Sequence, residues 1–314
     1  MAGFGTVRVG ISGWTYPPWR GVFYPKKLGQ KRELEYAASI FSTIEINGTF
    51  YSLQRPSSYQ DWAERTPEDF VFSVKASRFI THLRRLREIE IPLANFFASG
   101  ILKLGKKLGP ILWQFPPNFQ YSPLLMEDFF KLLPATTANA VELGRLHDQR
   151  VQGRSFLQID RSRRLRHAVE IRHASFAVPE FITLLRKYNV ALVCADAVEW
   201  PRLMDVTSDF IYCRLHGSKE LYASGYGRNA IDEWAHRVAA WAKGGESADG
   251  DFASGRKPRK RTTRDVYVYF DNDAKVRAPR DAKALQRRAA DLLTLSGRAA
   301  QDRGQQAGSK VHPS

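Results

Sequence analysis

A TIM-like (β/α)8 barrel in a single domain is the fold class the sequence predicts, and three observations predict it. Eight apolar runs with strand character recur along the chain, most of them separated by segments of helical patterning. The alternation fills about 290 of the 314 residues, close to the ~250 of a typical barrel. The alternative, a doubly wound open sheet, lacks its usual marks: no G-x-G-x-x-G turn follows the first run, and no Walker lysine motif occurs.

The strand-like runs are VRVGIS from Val7, TIEIN from Thr43, FVFSVK from Phe70 and ILWQF from Ile111, then HAVEIR from His167, VALVCAD from Val190, FIYCRLH from Phe210 and DVYVYFD from Asp265. Helical patterning fills RELEYAASIF, PLANFFASGILKLGKKL, SPLLMEDFFKLL, PEFITLLRKY, AIDEWAHRVAAWA and DAKALQRRAADLL. Ser122 followed by Pro123 reads as an N-cap with proline at the first helical position, and Asp281 as the N-cap of the last helix. The segment after the sixth run, AVEWPRLMDVTSD, carries no good helix, so one unit is degenerate. The single barrel domain is expected over residues 1–296, with a basic loop at 244–264 before the last strand and a disordered tail at 297–314.

Side chains alternate across a strand. One set in each run is apolar and suits the outer helices. The other set faces the barrel axis: Arg8/Gly10/Ser12, Glu45/Asn47, Ser73/Lys75, Leu112/Gln114, Glu170/Arg172, Leu192/Cys194/Asp196, Tyr212/Arg214/His216 and Tyr267/Tyr269/Asp271. Barrel interiors are usually branched and apolar, whereas the last inward position here is polar in nearly every strand. That end is where barrel active sites sit. A salt-bridge network that merely plugs the barrel is the competing reading, but such networks add little over apolar packing. His82, His173 and His216 stand at or just past the ends of strands three, five and seven. Trp14, Tyr16, Trp19, Phe50 and Tyr51 crowd the loops at the same end, and Pro17-Pro18 and Pro116-Pro117 stiffen them.

The formal charge of +16 points to polyanionic partners, yet much of the excess lies in segments that read as surface: GRKPRKRTTR, RSRRLR and the tail. Nucleic acid is therefore a partner to consider through the basic surface. No run approaches the roughly 20 apolar residues of a membrane span, and no signal-peptide order opens the chain. Cys194 and Cys213 are the only cysteines and form no disulfide framework, which places the protein in a reducing cytoplasm.

In order along the chain stand GISGWTYPPW (Gly10–Trp19), FYP (Phe23–Pro25), FSTIEINGTFYSL (Phe41–Leu53), F-x-F-S-V-K ending at Lys75, and Thr81-His82. They continue with KLGPILWQFPPNF (Lys107–Phe119), VEIRHASF, RLHG (Arg214–Gly217) and VYVYFDNDAK. With these motifs, the chain resembles the YecE-like family, domain of unknown function 72, from about Val7 to Leu293. The resemblance implies a TIM-like barrel, loosely like sugar isomerases and apurinic endonucleases, and leaves the activity unassigned. The last strand reads FDND where the family pattern is FNN, so Asp271 adds a carboxylate to it.

Three readings of function follow. The first is an enzyme acting by general acid–base chemistry on a small anionic, sugar-like substrate. Glu45, Glu170, His216, Asp196 and Lys75 are its catalytic candidates. Arg172 and Arg214 would grip the anion, with Asn47, Gln114, Trp14, Tyr51, His173, His82, Tyr269, Asp271 and Asn272 completing the binding set. No cofactor is expected for it, and oligomeric state and reaction type are open. The second is a metal-assisted phosphodiesterase or repair activity, with a divalent metal held among Glu45, His82, Glu170, His173, Asp196, His216 and Asp271. The third is a non-catalytic module that binds nucleic acid or a nucleotide.

Overall fold

Each apolar run forms a strand: β1 Val7–Ser12, β2 Thr43–Ile46, β3 Val71–Lys75, β4 Leu108–Gln114, β5 His167–Glu170, β6 Ala191–Asp196, β7 Phe210–Leu215 and β8 Asp265–Phe270. They pair in parallel, in chain order, and β8 closes back on β1 through the Val7–Val266 to Ile11–Phe270 register. This is the TIM-like barrel the sequence predicts. The computed structural model describes residues 3–217, 221–222, 224–273 and 275–308, with the backbone alone over 296–308.

Around the barrel run α1 Glu33–Ala38, α2 Gly48–Tyr51, α3 Pro56–Glu64, α4 Glu90–Ala98, α5 Pro123–Leu132, α6 Thr137–Gly144, α7 Pro179–Tyr188, α8 Arg228–Ala242 and α9 Ala278–Gly308. Helix α5 begins at the expected place, but the Ser122 hydroxyl makes no capping bond. Thr136 supplies a working cap instead, accepting from the Asn139 N–H at the start of α6, which the periodicity does not reveal. The single helix expected over 92–108 is broken into α4 and a 3-10 stretch, Ile101–Lys107, because Gly100 takes φ 116° between them. Asp281 is not the N-cap of α9, which starts at Ala278; its carboxylate instead accepts from the Tyr226 N–H and Asn272 Nδ2. Helix α9 continues to Gly308, through residues expected as a disordered tail, since Arg, Ala and Gln there are good helix formers. The rest of that expected tail, 309–314, lies outside the described residues.

Packing separates into two layers. The larger apolar core lies between barrel and helices, and a smaller one fills the barrel from Leu112, Ala168, Ala191, Val193, Ala195, Phe210, Tyr212, Tyr267 and Tyr269. Tyrosine hydroxyls satisfy themselves inside: Tyr269 meets Thr43 Oγ1 at 2.8 Å and Tyr212 meets Ser73 Oγ at 2.7 Å. The inner layer corrects the expected facing of β6. Ala191, Val193 and Ala195 point inward, and Leu192, Cys194 and Asp196 outward, in register with outward Cys213 and Leu215. Both alternating sets of β6 are small or apolar, so only Asp196 marked a polar face, and it marked the wrong one.

Between β6 and β7 no helix forms, as expected. The covering there comes from 197–209 and the basic loop. Met204 N–H donates to Asp251 O, and the Asp205 carboxylate accepts from the N–H groups of Ala253 and Ser254. Among the described residues, no helix is long and apolar enough to cross a membrane.

At Gly100 a Cβ would stand 2.5 Å from the Pro56 Cα, in a backbone region that L-residues rarely enter. Gly100→Ala is expected to lower unfolding free energy by about 1–3 kcal/mol, measured by urea denaturation.

Candidate active site at the barrel mouth

Strand alternation brings Ser12, Glu45, Lys75, Gln114, Glu170 and Arg214 to the C-terminal end of the barrel. Asn47, Arg172, His216 and Asp271 follow directly after their strands. Arg214, on β7, is fully buried at the centre. Its Nε and Nη2 donate to the two oxygens of Glu45 at 3.1 and 2.9 Å, a bidentate pair. Nη1 donates to Glu170 Oε2 at 2.7 Å, and Nη2 also reaches Asp271 Oδ2 at 2.7 Å and Ser12 Oγ at 3.2 Å. One guanidinium therefore holds three carboxylates together.

Further donors reach Glu45 and Glu170. Glu45 accepts from the hydroxyls of Ser12 and Tyr212, and Glu170 Oε1 accepts from Gln114 Nε2 at 3.0 Å and Arg172 Nε at 2.9 Å. Asn47 Nδ2 donates to Ser12 Oγ at 2.9 Å, while its buried Oδ1 has no partner. The Arg172 guanidinium carbon lies over the Trp200 ring, 3.7 Å from its centroid, and Nη2 donates to the Tyr222 hydroxyl. Trp200 and Tyr222 also meet the His216 ring edge-on. His216 Nδ1 stands 3.2 Å from Asp271 Oδ2, out of line for a hydrogen bond, and Nε2 is 3.9 Å from Glu170. Among the described residues both ring nitrogens are thus buried without an aligned partner.

Burial opposes charge on Glu170, but Arg214 and Arg172 outweigh it and hold the carboxyl well below its ordinary range. Asp271 is likewise desolvated and likewise held down, by Arg214 first and then His216. Burial raises the Asp273 carboxyl to about 6, helped by the neighbouring Asp271 charge. Lys75 behaves differently from the arginines. It is 8% exposed, its Nζ sits 4.2 Å over the Phe50 ring, and among the described residues that amine has no ion pair or hydrogen bond. Burial, then the Arg214 charge, bring it down to about 8 against the pull of Asp271, Glu45 and Glu170. His82, edge-on to the same Phe50 ring, is pushed down to about 4 by burial and by Arg172 and Lys75.

Several expected site residues stand elsewhere. Asp196 is on the far side of the sheet, where it accepts from Tyr226 Oη, Trp234 Nε1 and Arg202. Arg214 carries no free donor edge for an anion, because the carboxylates occupy it. Tyr269 belongs to the apolar interior below the mouth. Asn272 ties Ser224 O to Asp281. Trp14 packs on Trp62 and Phe72 in the outer core, Tyr51 lines a separate surface cleft with Phe79, Pro92 and Arg150, and His173 caps a 3-10 turn through Ser175. Sequence reasoning misses Trp200 and Tyr222. The only signal for Trp200 is its place in the helix-less segment, and Tyr222 gives none.

The ligands expected for a metal do not fit one. Among the described residues no three or more His, Cys, Asp and Glu gather as a metal-holding group. Glu45, Glu170 and Asp271 turn their oxygens to Arg214 instead.

A family model described as "Protein of unknown function DUF72" matches residues 8–305. The chain belongs to the DUF72 family. Its similarity to the UPF0759 protein YunF of Bacillus subtilis is 31% identity over 121 residues, covering 36% of this chain and 41% of that protein. With the UPF0759 protein YecE of Escherichia coli K12 it is 30% over 113 residues, covering 36% and 39%. The matched segments thus span about two-fifths of these curated relatives. A DUF72 family protein from Thermotoga maritima superposes with a TM-score of 0.68 at 22% identity, covering 90% of this chain and 98% of that one. One from Enterococcus faecalis gives 0.65 at 16%, covering 91% and 96%. At those identities the likeness concerns the barrel alone.

Removing Arg214 from this DUF72 barrel leaves three carboxylates facing one another out of water. Arg214→Met is expected to cost about 3–5 kcal/mol, read from the urea midpoint at neutral pH. The depressed Glu170 and Asp271 groups contribute stability that is complete above their unfolded values of about 4. That stability falls away as the pH drops below those values, because the unfolded chain then binds more protons. Acid titration followed by near-UV circular dichroism should show the loss in the wild type, and a shallower one in the already weakened Arg214→Met.

Proposed function

We propose that the mouth of this barrel is the active site of an enzyme that moves protons on a small anionic, sugar-like substrate. One observation carries the reading: Arg172 and Arg214 are paired, whereas the Lys75 amine is buried among the same carboxylates with no partner among the described residues. A structural plug gains nothing from such a group, since a buried unpaired charge is costly. A lysine released near neutrality suits general acid–base work. Its placement is like that of catalytic groups in barrels, at a strand's C-terminal end.

Roles divide by what each side chain has free. Lys75 is the acid or base, and His216, with two unaligned ring nitrogens, is its partner. Arg172 offers Nη1 to the substrate anion while Glu170 and the Trp200 face fix its plane. The Asn47 Oδ1 suits a substrate hydroxyl. Glu45 and Glu170, each held by several donors, position the arginines. Gln114 serves Glu170.

A second reading concerns the opposite end. Arg164, Arg186, Arg259 and Arg261 line a cleft of about 420 Å3 at the start of β5–β7, a surface that suits the phosphates of nucleic acid. Arg259→Glu with Arg261→Glu should abolish low-salt retention of an oligonucleotide and leave the mouth chemistry intact. Retention unaffected by the pair removes this reading.

Lys75→Met separates function from folding. The unfolded lysine keeps its proton to about 10.4, the folded one only to about 8. Between those values the unfolded chain binds more protons, so wild-type stability rises with pH across that window. In Lys75→Met that rise should vanish, and at neutral pH the variant should be more stable by on the order of 2–3 kcal/mol. Turnover found by metabolite screening of the wild type should be lost in Lys75→Met and weakened at least tenfold in Arg172→Ala. Full turnover in Lys75→Met sinks the assignment.

A further inference from the structure

We propose that Lys75 is a nucleophile that forms an imine with the carbonyl carbon of a small anionic aldehyde or ketone. The inference deepens the acid–base reading above and rests on it. Every carboxylate oxygen of Glu45 and Glu170 already has a donor. Glu45 Oε1 is taken by Ser12 and Arg214, Glu45 Oε2 by Tyr212 and Arg214, Glu170 Oε1 by Gln114 and Arg172, and Glu170 Oε2 by Arg214. A lysine serving as counter-ion would occupy one of those positions. Lys75 occupies none and lies against an aromatic face instead.

The groups around it come from every side of the mouth: Glu45 from β2, Glu170 from β5, Arg214 from β7, Asp271 after β8, His82 from the helical turn after β3 and Phe50 from α2. The three carboxylates turn to Arg214 and Arg172, and among the described residues none of them bonds the Lys75 amine. A group that lets its proton go at about 8 is neutral in roughly a tenth of molecules at pH 7, against well under a thousandth for an ordinary lysine. Neutral, buried amines are the ones that attack carbonyls.

The step balances without an oxidant or reductant. The nitrogen lone pair forms a C–N bond, the carbonyl oxygen takes up a proton, and the nitrogen loses one. The resulting hydroxyl takes up a second proton and leaves as water while the nitrogen lone pair closes the C=N bond, giving the protonated imine. Protonated, that imine withdraws electrons from the neighbouring carbon, whose proton His216 is free to accept. Arg172 Nη1 binds the substrate's carboxylate or phosphate. The substrate class is thus a 2-oxo acid or a phosphorylated hydroxy-ketone or aldehyde.

The test is reductive trapping. The full chain is incubated at pH 7 with sodium cyanoborohydride and, separately, formaldehyde, pyruvate or dihydroxyacetone phosphate, and modified lysines are mapped by peptide mass spectrometry. Lys75 should be modified at least tenfold faster than the median lysine with each probe, and Lys75→Arg, which keeps the charge, should show no such site. Arg172→Ala should slow trapping of the two anionic probes at Lys75 and leave formaldehyde unaffected. Lys75 reacting no faster than surface lysines, even with formaldehyde, overturns the imine. If Lys75→Met nonetheless abolishes turnover, the acid–base reading survives that failure. If turnover persists in Lys75→Met, both fall.

Discussion

The guanidinium of Arg214 is the group on which the mouth depends. It is fully buried, it spans the barrel from β7 to carboxylates on β2, β5 and after β8, and each of its nitrogens has a charged acceptor. Arginine is suited to this by a planar fork of five donors that stays charged. No other residue could meet Glu45 bidentately and still reach two further carboxylates. Burial penalises all four ions, and it is their mutual proximity that offsets the penalty. The consequence is rigidity: the angular positions of β2, β5, β7 and β8 around the axis are tied to one plane.

Below that plane the barrel is plugged by tyrosines whose hydroxyls are satisfied by Thr43, Ser73 and Arg166. Above it stand the groups with unused capacity, namely the Lys75 amine, the His216 ring and the outer edge of Arg172. The layering separates two jobs. The floor and the Arg214 plane hold the strands, and the groups above them are left free to change protonation or partner without unlocking the fold.

Much of this was legible in the sequence, because polarity and alternation carry the information. All eight strands were placed to within a few residues, and Glu45, Lys75, Gln114, Glu170, Arg172, Arg214 and His216 were placed at one end of one barrel. Alternation fails where both faces look alike. In β6 the inward Ala-Val-Ala set and the outward Leu-Cys set are equally apolar, so Asp196 was assigned inward when it serves Tyr226 and Trp234. Partnership is also invisible to a one-dimensional reading. Arg172, just after β5, and Arg214, on β7, are identical letters, yet among the described residues Arg214 is enclosed by carboxylates and Arg172 keeps an edge free. Trp200 and Tyr222 reach the site from connecting segments whose paths no periodicity specifies.

The basic loop has a meaning apart from its charge. Where the sixth unit lacks a helix, the sheet's outer face still has to be kept dry over Leu203, Met204 and Val206. The loop does this by pairing Asp251 with Met204 and by wrapping Ala253 and Ser254 around the Asp205 carboxylate. It is therefore a surrogate for the absent helix, and its arginines and lysines ride on a patch of cladding. An engineer trimming 244–264 as a dispensable insert would strip the wall from one side of the barrel, whereas replacing its cations one at a time would leave that wall standing.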